Sequence, residues 1–384
     1  MSNNWNVVPF TEAVDICDTF RKPINSSERA SRIKGKEQSE LYPYYGATGQ
    51  VGFIDDYITD GEYVLLGEDG APFLDAFSNK AYIISGKTWV NNHAHVLRSK
   101  TNNKFLCYYL NSFNYKGYVS GTTRLKLTQA EMKRIPVPVP PLSEQERIVS
   151  RIEELFSQLD AGVETLKKTK AQLAVYRQAV LKEAFAVCKE YVAIESVTQH
   201  VTDGDHMPPP KADNGIPFIM ISNIKGNAIS WGNTAFVGRD YYDSIEPKRK
   251  PQNGDVLYTV TGSYGIPVLV DFNKEFCFQR HIALLRPNDA IEQKYLYYSL
   301  MEPSVYAQAT KGATGTAQKT VGLGILRKIE IPFIENHSDQ LRIVEAIESR
   351  LSVCDSIEQT VNTALQQAEA MRQSILKDAF EGKL

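Results

Sequence analysis

The sequence predicts an α+β protein in which two globular domains, mostly irregular β-sheet with short helices, are separated by two long helices. Two observations support this fold class. The stretch RQAVLKEAF at residues 177–185 returns as RQSILKDAF at 372–380, which is 195 positions later. Each copy ends a long segment whose apolar residues are three or four positions apart, the spacing that places them on one face of a helix. We therefore expect two similar helices, each following a globular domain.

Length and composition are those of a globular protein with more than one domain. The 384 residues exceed the usual size of a single core, and 42% of them are hydrophobic and 23% charged. No apolar run reaches the roughly 18–20 residues that a membrane span needs. The N-terminal stretch MSNNWNVVPFTEA has neither the basic region nor the apolar core of a secretory signal. We expect a cytoplasmic protein with no membrane partner.

The five cysteines are scattered along the chain, at Cys17, Cys107, Cys188, Cys277 and Cys354, and include no C-x-x-C pair. This pattern predicts reduced, mostly buried thiols rather than a disulfide framework or a zinc site.

The first globular domain is predicted over residues 1–142. Short apolar runs between Gly and polar residues predict strands of mostly antiparallel sheets. These runs are YVLLG (63–67), AYIIS (81–85) and HVLRS (95–99). A short helix is predicted at KFLCYYLNSF (104–113), and RIPVPVP (134–140) predicts a last strand that prolines end.

The first long helix is predicted over residues 143–187, as a spacer between the domains. Ser143 is its expected N-cap, and Glu146 completes a capping box. A helix from 143 to 185 would be about 65 Å long. Its apolar seam is too long to be buried against a small domain and needs a second helix. The seam consists of Ile148, Ile152, Leu155, Leu159, Val163, Leu166, Leu173, Tyr176, Val180 and Ala184.

The second globular domain is predicted over residues 188–337. Its predicted strands are IPFIMIS (216–222), DVLYTVTG (255–262), IPVLVDF (266–272) and HIALLRP (281–287). A short helix at 293–301 occupies a place equivalent to the helix at 104–113. KIEIPFI (328–334) matches RIPVPVP of the first domain, and TGTA (314–317) resembles SGTT (120–123). Otherwise the two domain sequences are barely alike.

The second long helix is predicted over residues 338–384, with Ser338 as its N-cap. On periodicity alone, the two seams could belong to a coiled coil between chains. Because one chain contains both helices, they can instead pair with each other, most simply as an antiparallel coiled coil in a pseudo-two-fold arrangement. Residues 148–155 would then lie beside residues 371–379.

The turn into the first long helix and several strand segments resemble a known family. PVPPLSEQERIV (138–149), followed by a long helix after each of two divergent domains, resembles the specificity subunit of type I DNA restriction–modification systems (HsdS). YYGATGQVGFIDDYITDGEYVLLGEDG (44–70), GKTWVNNHAHVLR (86–98) and GTTRLKLTQAEMKRIPVP (121–138) look like segments of its target-recognition domains. The resemblance covers essentially the whole chain. PFIENHSDQ (332–340) departs from it, because this second turn lacks the PPL and EQ of the first.

The resemblance implies a sequence-specific DNA-binding subunit. Each domain would recognise one half of a bipartite target in double-stranded DNA, and the helices would fix the spacing and dock two methyltransferase subunits. S-adenosylmethionine is expected in those adenine methyltransferase partners, and ATP and magnesium in the partner restriction and translocase subunits. The alternative is a non-catalytic scaffold whose two domains bind proteins or glycans, with the coiled coil as a spacer.

No motif indicates a catalytic centre in the chain itself. GEDGA (67–71) and KGATGTAQKT (311–320) do not match a phosphate-binding loop. MPPP (207–210) lacks the Asn and the aromatic residue of the catalytic tetrapeptide that the family resemblance associates with adenine methyltransferases. We therefore expect a chain that is not an enzyme and has no cofactor of its own.

The charge distribution gives little sign of DNA binding. The formal net charge is −2, divided as +2 in 1–142, zero in 143–185, −1 in 186–337 and −3 in 338–384. A protein that binds DNA usually has a basic face. Any DNA-binding surface must therefore be a local patch.

Candidate DNA contacts occur in three kinds of segment. His93 and His95 would share one face of a strand and could suit a metal, but no third ligand accompanies them. Polar groups beside strands could bind base edges or phosphate, or have only a structural role; they are Lys87, Asn91, Asn92 and His93 in the first domain, and Thr259, Thr261, Ser263, Tyr264, Arg280 and His281 in the second.

Two glycine-led loops are the better candidates for phosphate contact, because they combine hydroxyl groups, amides and cations on flexible backbone. The alternative for each is an ordinary solvated loop. The first loop contributes Gly121, Thr122, Thr123, Arg124 and Lys126, and the second contributes Gly315, Thr316, Gln318, Lys319 and Thr320, with Lys311 before it.

Overall fold

The computed structural model describes residues 5–316 and 318–384, so the first four residues of the predicted first domain and Ala317 of the TGTA stretch lie outside the described residues. The chain divides into two compact units. The first unit comprises the chain up to Lys167 together with Val361–Leu384, and the second unit comprises Lys168–Thr360. The division falls inside the long helices, and the domain boundaries at 142/143, 187/188 and 337/338 stay predictions.

The first unit is built on two four-stranded sheets and a two-stranded ribbon. Its elements in chain order are β1 (Asn6–Pro9), α1 (Phe10–Ala13), β2 (Val14–Ile16), α2 (Ser26–Ile33), β3 (Tyr42–Gly46), β4 (Gly49–Ile54), β5 (Thr59–Asp60), β6 (Tyr63–Gly67), β7 (Ala81–Ile84), β8 (Lys87–Val90), β9 (Ala94–Ser99), α3 (Asn103–Ser112), α4 (Gln129–Met132), β10 (Pro136–Val139) and the start of α5 (Leu142–Phe185). One sheet has the order β2-β9-β6-β7, the other β4-β3-β8-β5, and β1 pairs with β10.

The second unit begins within α5 and ends within the second long helix. Its further elements are β11 (Glu190–Ala193), β12 (Thr198–Asp203), β13 (Ile216–Ile219), β14 (Ile224–Lys225), β15 (Ala228–Ile229), β16 (Ala235–Val237), α6 (Arg239–Ser244), β17 (Val256–Thr259), β18 (Pro267–Leu269), β19 (Cys277–Phe278), β20 (Ile282–Pro287), α7 (Gln293–Ser299), α8 (Pro303–Gly312), α9 (Leu323–Lys328), β21 (Glu330–Phe333) and α10 (His337–Phe380). Its sheets have the orders β12-β20-β17-β18, β16-β13-β19 and β14-β15, and β11 pairs with β21.

The two units share one internal topology, which the sequence comparison did not indicate. In each, a four-stranded antiparallel sheet lies beside a second sheet that contains one parallel pair. That pair is β3–β8 in the first unit, with Tyr44 opposite Trp89, and β13–β19 in the second, with Phe218 opposite Cys277. The prediction of mostly antiparallel sheets is confirmed, while the impression that the domains are barely alike is wrong at the level of strand pairing.

Apolar side chains of the central strands form the core of each unit. In the first unit, Val64 and Leu66 of β6 cluster with Leu97 of β9 and with Leu106 and Leu110 of α3. The predicted strand at 63–67 and the predicted helix at 104–113 are therefore confirmed, with the helix beginning one residue earlier. Helix α3 fixes one face of the sheet and leaves the strand ends free to form loops.

The two long helices each contain 44 residues, a length of about 66 Å. In the first unit, Ile148 and Ile152 of α5 form one apolar cluster with Leu376 and Ala379 of α10. The start of one helix therefore packs beside the end of the other, and the predicted antiparallel pairing within one chain is confirmed.

The second unit contains the complementary pair of helix ends. There, Val344 and Ile347 of α10 belong to one apolar cluster with Leu181 and Phe185 of α5. Each unit is thus built on the start of one long helix and the end of the other.

The repeated nonapeptide explains how each helix ends. Phe380, the last residue of RQSILKDAF, packs against Phe105 and Tyr109 of α3, with ring centroids 5.2 and 5.4 Å apart. Phe185, the last residue of RQAVLKEAF, packs against Tyr295 of α7 at 5.4 Å. The chain repeats the same ending because each globular core receives one such phenylalanine.

The repeated arginines of the nonapeptide also have matching partners. Arg177 pairs with Asp355 at 2.6 Å in the second unit, and Arg372 pairs with Asp160 in the first. Both pairs join α5 to α10, and their members are related by the same offset of 195 positions as the nonapeptide. Polar as well as apolar contacts therefore follow the repeat.

A buried glutamine joins each long helix to its globular core. Gln145 is 1% exposed; its Nε2 donates to Pro140 O at 2.8 Å and its Oε1 accepts from Thr101 Oγ1 at 2.9 Å. Gln340, which is fully buried, donates to Ile334 O at 2.7 Å and accepts from Glu292 N at 2.7 Å. In both units, the side-chain amide of one glutamine is hydrogen-bonded to the turn before the long helix and to the segment before the short helix of the core.

The predicted serine N-caps are wrong. The long helices begin at Leu142 and His337, so that Ser143 and Ser338 lie within the first turn. At the second helix, Asn336 supplies the cap, since its Oδ1 accepts from Ser338 N at 2.8 Å. At this helix, Asn336 rather than Ser338 therefore satisfies a free amide.

All five cysteines are free thiols, and all but Cys17 are buried, as predicted. In the described ranges, no helix is both long enough and apolar enough to cross a membrane.

Replacing Gln145 by Leu should destabilise the first unit. The buried Pro140 carbonyl loses its donor, which costs about 1–3 kcal/mol. Urea denaturation of the variant and the parent protein measures this loss. Gln158→Leu, the same change at an exposed position of α5, is the matched control. Equal effects of the two substitutions would show that the buried amide has no special role.

Candidate nucleic-acid interface

The two glycine-led loops are closed by the same pair of backbone hydrogen bonds. In the first unit, Ser120 and Lys126 exchange two backbone hydrogen bonds, with N···O distances of 3.0 and 2.8 Å. In the second unit, Thr314 and Thr320 do the same at 2.9 and 2.7 Å. The first loop is called loop A (Ser120–Lys126) and the second loop B (Thr314–Thr320). In each loop, the two end residues form an isolated antiparallel bridge that closes the loop.

Both loops require glycine at their second position. Gly121 has a φ of +97°, and a Cβ there would lie 2.4 Å from Arg124 O. Gly315 has a φ of +106°, and its Cβ would lie 2.4 Å from Gln318 O. A residue with a side chain is strained at such φ values and would also push the opposite side of the loop away.

Each loop is held beside the end of a neighbouring strand by a matching backbone hydrogen bond. Loop A accepts from Gly70 N through Leu125 O, and loop B accepts from Gly262 N through Lys319 O, both at 2.9 Å. A turn before the neighbouring strand completes the site.

The turn beside loop A contains His93, whose carbonyl accepts from Glu68 N at 2.8 Å. The turn beside loop B contains His281, whose carbonyl accepts from Val260 N at 2.9 Å. The structure therefore brings each loop, a strand end and a histidine turn together, so the sequence-predicted residues of these segments meet in one place in each unit.

The site of the first unit is charged. Arg124 Nη2 donates to Asp69 Oδ1 at 2.7 Å, and the Arg124 side chain is still 62% exposed. His93 Nδ1 lies 2.8 Å from the same carboxylate oxygen, and Lys126 Nζ lies 3.3 Å from Glu68 Oε1. Thr122 and Thr123 are exposed at the tip of the loop. The cations can bind phosphate, although carboxylates neutralise part of their charge.

The site of the second unit is largely neutral. Arg280, His281 and Gln318 line one cleft of about 340 Å³, and Gln318 stands where the first unit has Arg124. Burial lowers the pKa of His281, and the charge of Arg280 acts in the same direction. The imidazole is therefore neutral at pH 7, so that it can donate through one nitrogen and accept through the other. Such a group can bind base edges.

Two predicted contact residues of the second unit have buried side chains. Thr259 is 1% exposed, and its Oγ1 accepts from Ile266 N at 2.9 Å. Thr261 is 7% exposed, and its hydroxyl accepts from Thr320 Oγ1 at 3.3 Å. Both side chains stabilise the strand end and are not available to DNA in this structure.

Several other predicted residues lie around these sites. Asn91 is buried, and its Oδ1 accepts from His93 N at 2.8 Å, so that it shapes the histidine turn. Lys87 Nζ lies 4.7 Å from the ring centroid of Tyr57. Tyr264 stacks on a neighbouring tyrosine ring at 5.8 Å. Exposed side chains complete the set, and they are Asn92, Ser263, Lys311, Thr316 and Lys319.

The two histidines of the first unit do not form a metal site. His93 precedes β9, whereas His95 lies within it and is fully buried, with Nδ1 2.8 Å from Asp18 Oδ2. Among the residues that the structure describes, no group of three or more His, Cys, Asp or Glu side chains could hold a metal ion.

The buried His95 instead supports loop A from behind. Its Nε2 lies 3.1 Å from Leu127 O, just after the loop, and its Nδ1 contacts Asp18. Burial alone would raise the pKa of Asp18, but hydrogen bonds from His95, Val96 N and Gln129, together with the charge of His95, bring that pKa below its ordinary value. Asp18 is therefore ionised at neutral pH and holds the base of the loop.

A basic segment of the first unit was missed by the sequence analysis. RKPINSSERASRIKGK (21–36) contains six basic residues and one acidic residue. The Arg29 guanidinium lies 4.7 Å from the ring centroid of Tyr44, and Lys22 and Lys34 are exposed. The net charge of residues 1–142 hides this segment, because acidic stretches elsewhere in that range offset its positive charge. The net charge of a short sliding window reveals it.

Comparisons with known proteins agree with this architecture. The sequence model of the type I restriction modification DNA specificity domain matches residues 4–174 and 203–367. A Haemophilus influenzae protein named as a type I restriction enzyme specificity subunit is 28% identical over 378 residues, which are 94% of this chain and 91% of that one. The EcoBI specificity subunit of Escherichia coli is 24% identical, over 92% of this chain and 79% of its own.

Solved structures show the same fold. A chain from a type I restriction–modification complex, solved to explain its assembly and conformational transition, superimposes with a TM-score of 0.72 at 18% identity, covering 100% of this chain and 99% of that one. The HsdS subunit of Thermoanaerobacter tengcongensis gives a TM-score of 0.52 at 17% identity, with 100% and 98% covered. Since the family model spans most of both units, the chain belongs to the type I restriction–modification DNA specificity family, and its role is to recognise DNA sequence.

Proposed function

We propose that each unit recognises one half of a bipartite DNA target. The observation that carries this proposal is the pair of matching sites with different side chains. Loops A and B share their backbone hydrogen bonds and their glycine, yet Arg124 corresponds to Gln318 and Asp69 to Thr261. A common backbone lets both units approach DNA in the same way, and different side chains let them select different bases.

The long helices are the elements that would set the distance between the half-sites. Helices α5 and α10 are stiff, paired through apolar clusters and through the arginine–aspartate contacts, and connect directly to both cores. A stiff connection fixes a distance, whereas a flexible linker would permit many. Family membership supports this use of the helices, and it does not favour the alternative of a scaffold for proteins or glycans.

Chemistry belongs to partner subunits in this proposal. Two methyltransferase subunits that bind S-adenosylmethionine dock on the helices and methylate adenine in the target. Restriction and translocase subunits, which use ATP and magnesium, act on targets that lack the methyl group. This chain contributes recognition, and the partners contribute every bond-breaking step.

Exchanging one recognition domain should change one half of the target. Replacing residues 1–133 by the corresponding segment of a relative gives a chain with a new first site and the original second site. Long-read sequencing of cells that express this chain with its methyltransferase reports the methylated sequence. We expect one altered half-site and one unchanged half-site. An alteration of both half-sites would contradict the assignment of one half to each unit.

Lengthening both helices is the matched control. Seven residues added to each helix in register contribute about 10 Å, equivalent to roughly three base pairs. The unspecified gap should widen while both half-sites keep their bases. A change in base identity without a change in gap would show that the helices do not set the spacing.

Removing one charge from the basic segment should weaken binding to all DNA sequences alike. Lys34→Ala removes an exposed cation, and the slope of log affinity against log salt should fall by about one. Lys104→Ala is the control, because that ammonium is already paired with Glu153 at 2.6 Å. Fluorescence anisotropy across a salt series, with target and non-target duplexes, measures both. Equal slopes for Lys34→Ala and the parent would exclude this residue from the phosphate contact.

A side chain at Gly121 should open loop A. Gly121→Ala brings its Cβ against Arg124 O, so the hydrogen bonds between Ser120 and Lys126 should weaken and their amides should exchange faster with solvent. Gly117→Ala tests the cost of a positive φ without a clash, because its φ is +87° and nothing lies within 4 Å of the added Cβ. Affinity for the target should fall with Gly121→Ala alone. Comparable losses in both variants would mean that the loop geometry is not important for binding.

A further inference from the structure

The second unit contains an apolar cavity next to its candidate DNA site. The cavity has a volume of about 480 Å³. Its walls include Phe218 and Phe236 of the sheet β16-β13-β19, Met220, which directly follows β13, and two prolines of the segment that precedes β13. The mouth is polar, since Arg280 and His281 line both this cavity and the cleft that contains Gln318. The cavity therefore opens into the proposed recognition site.

The equivalent place in the first unit is occupied by a planar group. Tyr44 pairs with Gly52 across β3 and β4, and Phe218 pairs with Ala235 across β13 and β16. Because β3 and β13 are the strands that also have a parallel neighbour, Tyr44 corresponds to Phe218 and Gly52 to Ala235. In the first unit the Arg29 guanidinium lies over the Tyr44 ring at 4.7 Å and 3.6 Å from a Cβ added at Gly52.

The Arg29 guanidinium indicates that the fold accepts a flat group at this place. A guanidinium is flat and stacks on an aromatic ring, as a nucleobase does. In the second unit, a cavity lined by Phe218 lies at this place. The wall instead offers a phenylalanine ring, a methionine and prolines, which are surfaces suited to the face of a flat ring.

The charges at the mouth suit a nucleotide rather than an uncharged aromatic molecule. Arg280 is exposed and can bind a phosphate oxygen, while the neutral His281 can donate to or accept from the edge of a base. Lys211 also lines the cavity and adds a second cation, while the Asp205 carboxylate of the same lining accepts from Tyr241 Oη at 2.6 Å. The apolar cavity therefore suits the base of a nucleotide, and the cations at its mouth suit the phosphate.

We propose that this cavity binds one base of the target DNA that has left the helical stack, with its ring on Phe218 and its phosphate at Arg280. The inference rests on the proposed function, since it assigns the cavity to the half-site that the second unit recognises. Leaving the stack costs pairing and stacking energy, which the aromatic wall offsets in part. Selection at this base pair then depends on how readily it opens as well as on its edge pattern.

The test uses the full chain with its methyltransferase partners and duplexes carrying 2-aminopurine. The fluorescent base replaces each position of the second half-site in turn, except the methylated adenines, which the methyltransferase itself can extrude. We expect a several-fold rise in fluorescence at one position when the complex forms. No rise at any scanned position would overturn the proposal.

Filling the cavity should remove this signal. Ala235→Phe places a ring beside Phe218, and we expect the fluorescence rise to disappear and binding to become roughly tenfold weaker. Ala228→Phe, the same change at an exposed residue of the second unit, is the matched control. Arg280→Ala provides a second variant at an exposed position, which should reduce the signal even if the cavity variant folds poorly. A rise that persists in both test variants would place the unstacked base elsewhere.

Three further outcomes separate this inference from the function on which it rests. If free adenosine or thymidine monophosphate binds the parent chain and not Ala235→Phe, while no duplex position brightens, the cavity is a site for a free nucleotide and the proposal is wrong. If the domain exchange alters one half-site as expected but no position brightens, only the cavity assignment fails. If the exchange alters both half-sites, the proposed function itself is wrong, because recognition is then not divided between the units.

Discussion

The position of each recognition core relative to its own long helix depends on one buried amide. Gln145 and Gln340 are shielded from water, and each bonds the turn before its helix and the segment before the short helix of its core. Apolar packing between the same elements contributes more energy but has little directional preference. A buried amide is directional, and misalignment leaves polar groups unpaired in a place that water does not reach. The angle between sheet and helix is therefore set by hydrogen bonding, whatever side chains the loops carry.

This separation of frame and loop suits a protein that must recognise different bases with one architecture. Loops A and B have the same hydrogen bonds and the same glycine, so that their side chains project from equivalent backbone. Exchange of Arg124 for Gln318, or of Asp69 for Thr261, changes charge and hydrogen-bonding capacity without changing the loop. The first site presents partly neutralised cations and the second presents a neutral imidazole beside Arg280. The two halves of a target can consequently differ in the kind of contact as well as in sequence.

Periodicity predicted the long helices, the internal repeat predicted their pairing, and short apolar runs predicted most strands, because each of these signals can be seen directly in the sequence. Burial at strand ends was not predictable in the same way. Thr259 and Thr261 lie where β17 ends and the chain bends, so that regular alternation of side chains no longer determines which face is exposed. The predicted cap at Ser338 failed because Asn336, two residues earlier, supplies the bond. The common topology of the units stayed hidden because backbone pairing, rather than side-chain identity, defines it.

The division of the helices between the units has a consequence for the order in which the protein can fold during synthesis. The second unit is a single continuous segment, Lys168–Thr360, whose core can close as soon as those residues have left the ribosome. The first unit contains the earliest residues of the chain but also Val361–Leu384, including Phe380, which packs on α3. Its main core, formed by buried residues between Phe10 and Val137, can close earlier, but the cluster that joins Phe105 and Ile148 to Leu376 and Ala379 must wait until those late residues have been made. The half of the protein that is synthesised first is therefore the half that is completed last.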